Sequence, residues 1–306
     1  MDFGVHLPLI DFDGSGYSLE ALQEYTTAAR DLGYTAVAAN DHMLFARPWL
    51  DGPTALSAVL AQTGEMTLMT SVALPVIRGP VQTAKTLGAI DLLSGGRLTV
   101  AVAPGSSRAD YAAVGLDFEE RWKRIDEAVV ALRALWRGED REGAFYKVDG
   151  IRLEPRPRLA GAPLIWLGSW GSLAGLRRTA RLADGWLASA YNTTPDDFAT
   201  ARESLGTHLV AAGKNPSTFP NALSTMWTYI TESSSDADRV IEGVLQPMLN
   251  RPAEELASKL TVGTPEHCAD ILRRYRDAGV QRVLLWPVDD AVQQLRVFKE
   301  RVEPLI

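Results

Sequence analysis

A single α/β barrel of eight strand–helix units, the (β/α)8 or TIM barrel, is the fold class this sequence predicts. Short β-branched or aliphatic runs alternate with longer amphipathic stretches along the whole chain. Eight such pairs occur, the number that a closed parallel barrel requires. The length of 306 residues suits one barrel domain over 1–306. The rival arrangement, an open doubly wound sheet, is weakened because no GxGxxG follows the first strand.

The elements follow in order. "DFGVHLPL" (2–9) predicts the first strand, and "SLEALQEYTTAARDLG" (18–33) a helix capped by Ser18 and closed by Gly33. Within it Leu19, Leu22, Tyr25, Ala29 and Leu32 recur at helical spacing. "TAVAAN" (35–40) is the second strand, followed by a helix within 53–64 and a third strand, "TLMTSVALPV" (67–76). In "PVQTAKTLGAIDLLSGG" (80–96), Pro80 suits a first helical turn and the paired glycines end the element. "RLTVAVAPG" (97–105) is the fourth strand. "FEERWKRIDEAVVALRALWRG" (118–138) is a helix with charges on one face and Ile125, Val129, Leu132, Leu135 and Trp136 on the other. The second half repeats the rhythm: strand 163–169, helix 173–184, strand 185–190, helix 194–213, strand 221–231, helix 264–279, strand 280–288 and a final helix at 290–303. Two stretches exceed what a barrel needs. One is 139–162, after the fourth helix; the other is 232–262, after strand 7, polar and partly helical.

Composition narrows the classes. The chain is 46% hydrophobic and 23% charged, as globular proteins are. A formal charge of −7 argues against nucleic acid as a partner. Cys268 stands alone, which excludes an intrachain disulfide and disfavours a thiolate metal site. The N-terminal stretch lacks the pattern of a signal peptide, and no apolar run approaches a membrane span, so a cytoplasmic protein is expected.

A barrel carries its active site at the C-terminal ends of its strands. There the sequence supplies Asn40-Asp41-His42, Thr70-Ser71, "APGSS" (103–107), "GSWGS" (168–172) and "SAYN" (189–192), with Trp227, Tyr229 and Trp286 on the last two strands. The turns "PGSSRADYAA" and "GSWGSLAGLRR" set free backbone N–H groups at helix starts and are candidate phosphate sites. Ser107 and Asp110 are spaced as a capping box. Of four histidines, His208 and His267 fall within helices and His6 within the first strand. His42 is the best placed for proton transfer, with Asp41 beside it to orient it. A metallohydrolase would need a second histidine in "GVHLP", and a Schiff-base aldolase a lysine in a strand; neither is present, so no metal is expected.

The segments "ARDLGYTAVAANDH" (29–42), "SVALPVIRGPVQTAKTLGAIDLLSGGRLTVAVAPG" (71–105), "FEERWKRIDEAVVALRALW" (118–136), "PLIWLGSWGS" with "LRRTARLADGWL" (163–187), and "VGTPEHCADILRRYRDAGVQRVLLWP" (262–287) together resemble the luciferase-like monooxygenase superfamily. The resemblance spans nearly the whole chain and implies reduced FMN, or the deazaflavin coenzyme F-420, at the barrel mouth. It implies His42 beside the reacting ring atom and Asp41 in contact with the ring. Ser71-Val72 matches a strand-3 bulge under the ring, often with a non-prolyl cis peptide. Gly105 and Ser106, with Gly168, Ser169, Trp170 and Gly171, match the loops that take the cofactor's phosphate and side chain. Pro104 departs from the arginine that luciferase has near this point, a contact for which Arg108 or Arg177 are the available substitutes. Trp49, Tyr191, Trp227 and Trp286 are candidates to wall a substrate pocket, and 232–262 matches a lid expected to be poorly packed. The implied reaction is either oxygenation with FMN and dioxygen or hydride transfer with F-420, on a small-molecule substrate. The FMN route would call on a separate flavin reductase. A homodimer is also implied. The alternatives are a non-catalytic flavin-binding relative and a cofactor-free barrel hydrolase.

Overall fold

The computed structural model describes residues 1–12, 14, 16–158 and 162–306. Residues 159–161 of the first long segment therefore lie outside the described residues.

Nine parallel strands form the sheet: β1 (Asp2–His6), β2 (Ala36–Ala39), β3 (Thr67–Ala73), β4 (Leu98–Val102), β5 (Leu164–Gly168), β6 (Gly185–Ser189), β7 (Asn221–Ile230), β8 (Thr261–Gly263) and β9 (Arg282–Pro287). Each of β1 to β7 pairs with the next, and β9 closes the barrel between β7 and β1. The eight predicted strands are thus β1 to β7 and β9. The short β8 is a correction: it comes from the segment read as irregular and pairs only with the far end of β7, Thr228 opposite Thr261.

Strand alternation sorts side chains into two layers. Ala36, Ala38, Met69, Ala101, Trp166, Leu187, Ala222 and Leu284 fill the barrel interior. Small residues dominate there because facing strands are close: a Cβ on Gly4 would lie 2.8 Å from the Cβ of Ala36 and from Leu284. The alternate residues, such as Val5, Val37, Leu68, Val100 and Ile165, pack against the helical layer.

The helices start where cap chemistry places them. Ser18 Oγ accepts the Ala21 N–H ahead of the helix Leu19–Asp31. Thr194 and Thr264 cap helices that open on Pro195 and Pro265. Gly138, at φ 69°, closes Arg121–Arg137 in the left-handed conformation.

The 232–262 segment departs from expectation. It folds as Ser234–Val240, a wide turn Ile241–Leu245, a further turn Gln246–Leu249 and the helix Ala253–Lys259. Val240, Ile241, Leu245, Leu256 and Leu260 are all buried, so the segment is anchored rather than poorly packed. Its polar composition hid this, because a few apolar residues at helical spacing suffice to seat a helix.

Candidate active site

The mouth of the barrel holds a cavity of about 450 Å³ at the C-terminal ends of the strands. His42, Trp49, Ser106, Tyr191, Trp227 and Trp286, all candidates from the sequence, line it together. Asn40, Leu44, Phe45, Ala46, Ser107, Ala109, Thr225, Met248 and Leu249 complete the wall. None of these is Lys, Arg, Asp or Glu, so the cavity presents an aromatic surface with a few uncharged polar groups and one imidazole.

His42 reaches this position because β2 ends at Ala39 and the chain turns outward at Asn40. That turn lies so close to the next helix that a Cβ on Gly52 would sit 2.0 Å from the Asn40 carbonyl oxygen; only glycine fits. The His42 ring is edge-on to Trp49 at 4.8 Å and tilted on Phe45 at 5.1 Å. Its Nδ1 lies 3.2 Å from Asp110 Oδ2. Asp110 is buried, and its other oxygen accepts the Leu44 N–H at 2.8 Å. A carboxylate can only accept, so Nδ1 carries the proton and Nε2 is left with its lone pair.

This corrects two expectations. Asp110 does not complete a capping box: Ser107 Oγ caps the Asp110 N–H at 3.1 Å, but the carboxylate turns to His42. Nor does Asp41 orient His42. Its buried carboxylate takes two hydrogen bonds from Arg78, Nε at 2.7 Å and Nη2 at 2.6 Å, and the Leu74 N–H at 3.3 Å. Arg78 also binds Asp51, so one guanidinium ties the turn after β2 to the turn after β3. Although burial alone lowers the pKa of Arg78, the two carboxylates raise it above its ordinary value.

The Ser71–Val72 peptide is cis, and the register of β3 on β4 shifts there. Ser71 Oγ lies 3.1 Å from Nε2 of His6, whose ring stacks on Trp286 at 3.9 Å. His6 is thus a floor residue within the barrel. Burial lowers its pKa from 6.5 to about 3, which keeps it neutral. Between pH 6.5 and 3 the unfolded chain takes up a proton that the folded chain refuses. Stability should therefore fall with pH in that window by about 1.4 kcal/mol per unit from this group, and its contribution is complete above 6.5. Urea denaturation at pH 7 and pH 5 should give a smaller difference for His6→Gln than for the parent; equal differences would refute this.

Gly105, at φ 85°, lies beside the cavity next to Ser106. The expected second phosphate turn is not part of the lining. Ser169 is buried within its own turn, Trp170 is exposed, and Ser172 Oγ caps the helix Leu173–Leu182 through the Gly175 N–H. Gly168 packs against the cis bulge, where a Cβ would lie 3.0 Å from Val72 Cγ1. Arg108 pairs with Glu119 at the surface, and Arg177 is exposed.

The cavity suits a flat, acceptor-bearing ring. Trp49, Trp227 and Trp286 each keep a buried indole N–H with no partner among the described residues. A buried donor left unpaired costs about 1–3 kcal/mol, a deficit that ring carbonyls of a bound cofactor would remove.

The luciferase-like monooxygenase profile matches residues 1–249. This chain belongs to that family. It is 25% identical to the F-420-dependent hydroxymycolic acid dehydrogenase of Mycobacterium tuberculosis over 94% of this chain and 85% of that one. It is 30% identical to the FMNH(2)-dependent dimethylsulfone monooxygenase of Pseudomonas fluorescens, over 52% of this chain and 45% of that protein. In structure it resembles an F-420-dependent secondary alcohol dehydrogenase bound to an F-420–acetone adduct, with a TM-score of 0.86, 19% identity and coverage of 100% and 99%; this likeness concerns the fold. Relatives in the family are F-420- and FMN-dependent oxidoreductases and monooxygenases, which makes this chain an oxidoreductase of the luciferase-like type. No helix is long and apolar enough to cross a membrane.

Proposed function

We propose that the protein transfers a hydride between coenzyme F-420 and the carbon of an alcohol–ketone pair, with His42 handling the hydroxyl proton. The observation that carries this reading is the His42–Asp110 contact, which leaves an unprotonated Nε2 at the wall of an uncharged cavity. When bound, F-420 supplies a ring carbon that accepts or gives a hydride and does not react with dioxygen. In the oxidation direction the substrate C–H leaves as hydride while Nε2 takes the O–H proton, and the C–O bond becomes a carbonyl. In reduction the imidazolium returns that proton to the new hydroxyl. Asp110 holds the ring and stabilises its charged form. The wall of Trp49, Trp227 and Trp286 excludes water and offers indole N–H groups to the ring acceptors. The F-420 dehydrogenases among the relatives support the reading.

The test is a pair of titrations. F-420 should bind in the low micromolar range and be reduced anaerobically by a secondary alcohol. Reduced FMN should bind more weakly and drive no oxygen uptake beyond its free rate. Tight FMN binding with coupled oxygen consumption would replace the proposal with the oxygenase route.

A further inference from the structure

A second cavity, of about 300 Å³, lies at the same end of the barrel between the turn after β1, the turn after β9 and the segment Ser234–Val240 with the wide turn that follows. Its walls include Ile10, Leu22, Val240, Val244 and Val288. It shares no lining residue with the active-site cavity, yet two observations connect them. An unbroken run of ring contacts leads from one to the other: His42 to Trp49 at 4.8 Å, Trp49 to Trp286 at 5.7 Å, Trp286 to Trp227 at 4.1 Å, and Trp227 to Phe12 at 6.1 Å. Phe12 itself lines the second cavity, so one ring pair is the partition. The roof is also shared, since Val240 and Val244 cover the second cavity while Met248 and Leu249, a turn further on, cover the first.

We infer that the second cavity is a subsite for the apolar tail of the substrate, and that the protein takes neutral alcohols or ketones bearing an alkyl chain. The inference rests on the proposed chemistry for placing the carbonyl end at His42. The absence of any charged residue from the first lining disfavours an ionic reacting end, because a charge moved from water into such a surface needs a partner. At the far end Asp11, Asp289 and Asp290 outnumber Arg239, which disfavours a tail ending in a carboxylate or phosphate. Phe12 lies under the Arg47 guanidinium, 5.6 Å from its ring centre, and its carbonyl accepts from Arg47. The partition is therefore positioned by a surface side chain and can yield without disturbing the barrel.

Calorimetric titration of the purified protein with 2-alkanones from 2-butanone to 2-undecanone tests this. Affinity should rise about fourfold for each methylene that enters the second cavity, the increment of burying one such group. Ala21→Trp fills that cavity from an exposed helix position. It should weaken 2-undecanone more than tenfold and leave 2-butanone within twofold. Val244→Phe, which fills the same space from the roof, should give the same split. Undiminished binding of the long ketone in both variants, or equal losses for long and short, would overturn the inference. Because binding is read without turnover, a chain-length dependence that holds while F-420 fails as acceptor supports the subsite and removes only the proposed chemistry.

Discussion

His42→Ala should lower turnover by about a hundredfold to ten-thousandfold, the range a positioned proton-transfer group contributes, while cofactor affinity stays within a few fold. Asp110→Asn makes the sharper test. The Leu44 N–H donates to Asp110 Oδ1, so in the amide that position remains an oxygen. The NH2 group then replaces Oδ2 and faces His42 Nδ1, 3.2 Å away in the parent. Nδ1 must become the acceptor and Nε2 the protonated nitrogen, the wrong tautomer for taking a proton from an alcohol. Such an exchange leaves geometry intact and costs about two orders of magnitude or more in turnover. Stability should change far less, since both hydrogen bonds can be remade. Turnover within threefold of the parent in His42→Ala would remove the residue from the mechanism. A normal Asp110→Asn would remove only the orienting role. Pre-steady-state hydride transfer with a saturating secondary alcohol, read as loss of the deazaflavin's visible absorbance, separates the chemical step from release.

Much of this site was legible because strand ends are local features. "AVAANDH" places His42 at a strand end by its own pattern, and the cavity gathers Trp49, Tyr191, Trp227 and Trp286 as the barrel register demands. What stayed hidden depends on contacts between loops distant in sequence. Asp110 lies 68 positions from His42 and has a sufficient local explanation as a cap residue, so nothing in the sequence pointed it at the imidazole. Met248 and Leu249 reach the cavity only because Val240, Ile241 and Leu245 seat the preceding turns, and three apolar residues in a polar stretch are a weak signal. The turn at 168–172 failed in the other direction. Its glycines and serines do make a capped helix start, but that start lies beyond the lining of the cavity.

Arg78→Leu should be the most destabilising single change near the site, by about 3–5 kcal/mol, because it strands a buried carboxylate. Asp41 is 2% exposed and has three donors, two of them from Arg78; the third, the Leu74 N–H at 3.3 Å, is long. Asp51 loses the same partner but is 40% exposed at its side chain and keeps its bonds to Thr54, so it adds little to the cost. The reverse change, Asp41→Asn, should cost less, since Arg78 retains Asp51 and the half-buried guanidinium reaches water. In the double variant Asp41→Asn with Arg78→Leu, no buried charge is left unpaired, and the loss should be smaller than the sum of the two single losses. Urea unfolding of the four proteins measures this coupling directly. Additive losses, or an Arg78→Leu cost below about 1 kcal/mol, would mean that the ion pair contributes no more than a surface contact. The pair also joins stability to function, because it fixes the turn carrying Asn40, Asp41 and His42 against the turn that follows the cis Ser71–Val72 peptide. Arg78→Leu assayed well below its unfolding midpoint should therefore still lose turnover, through displacement of His42 from Asp110.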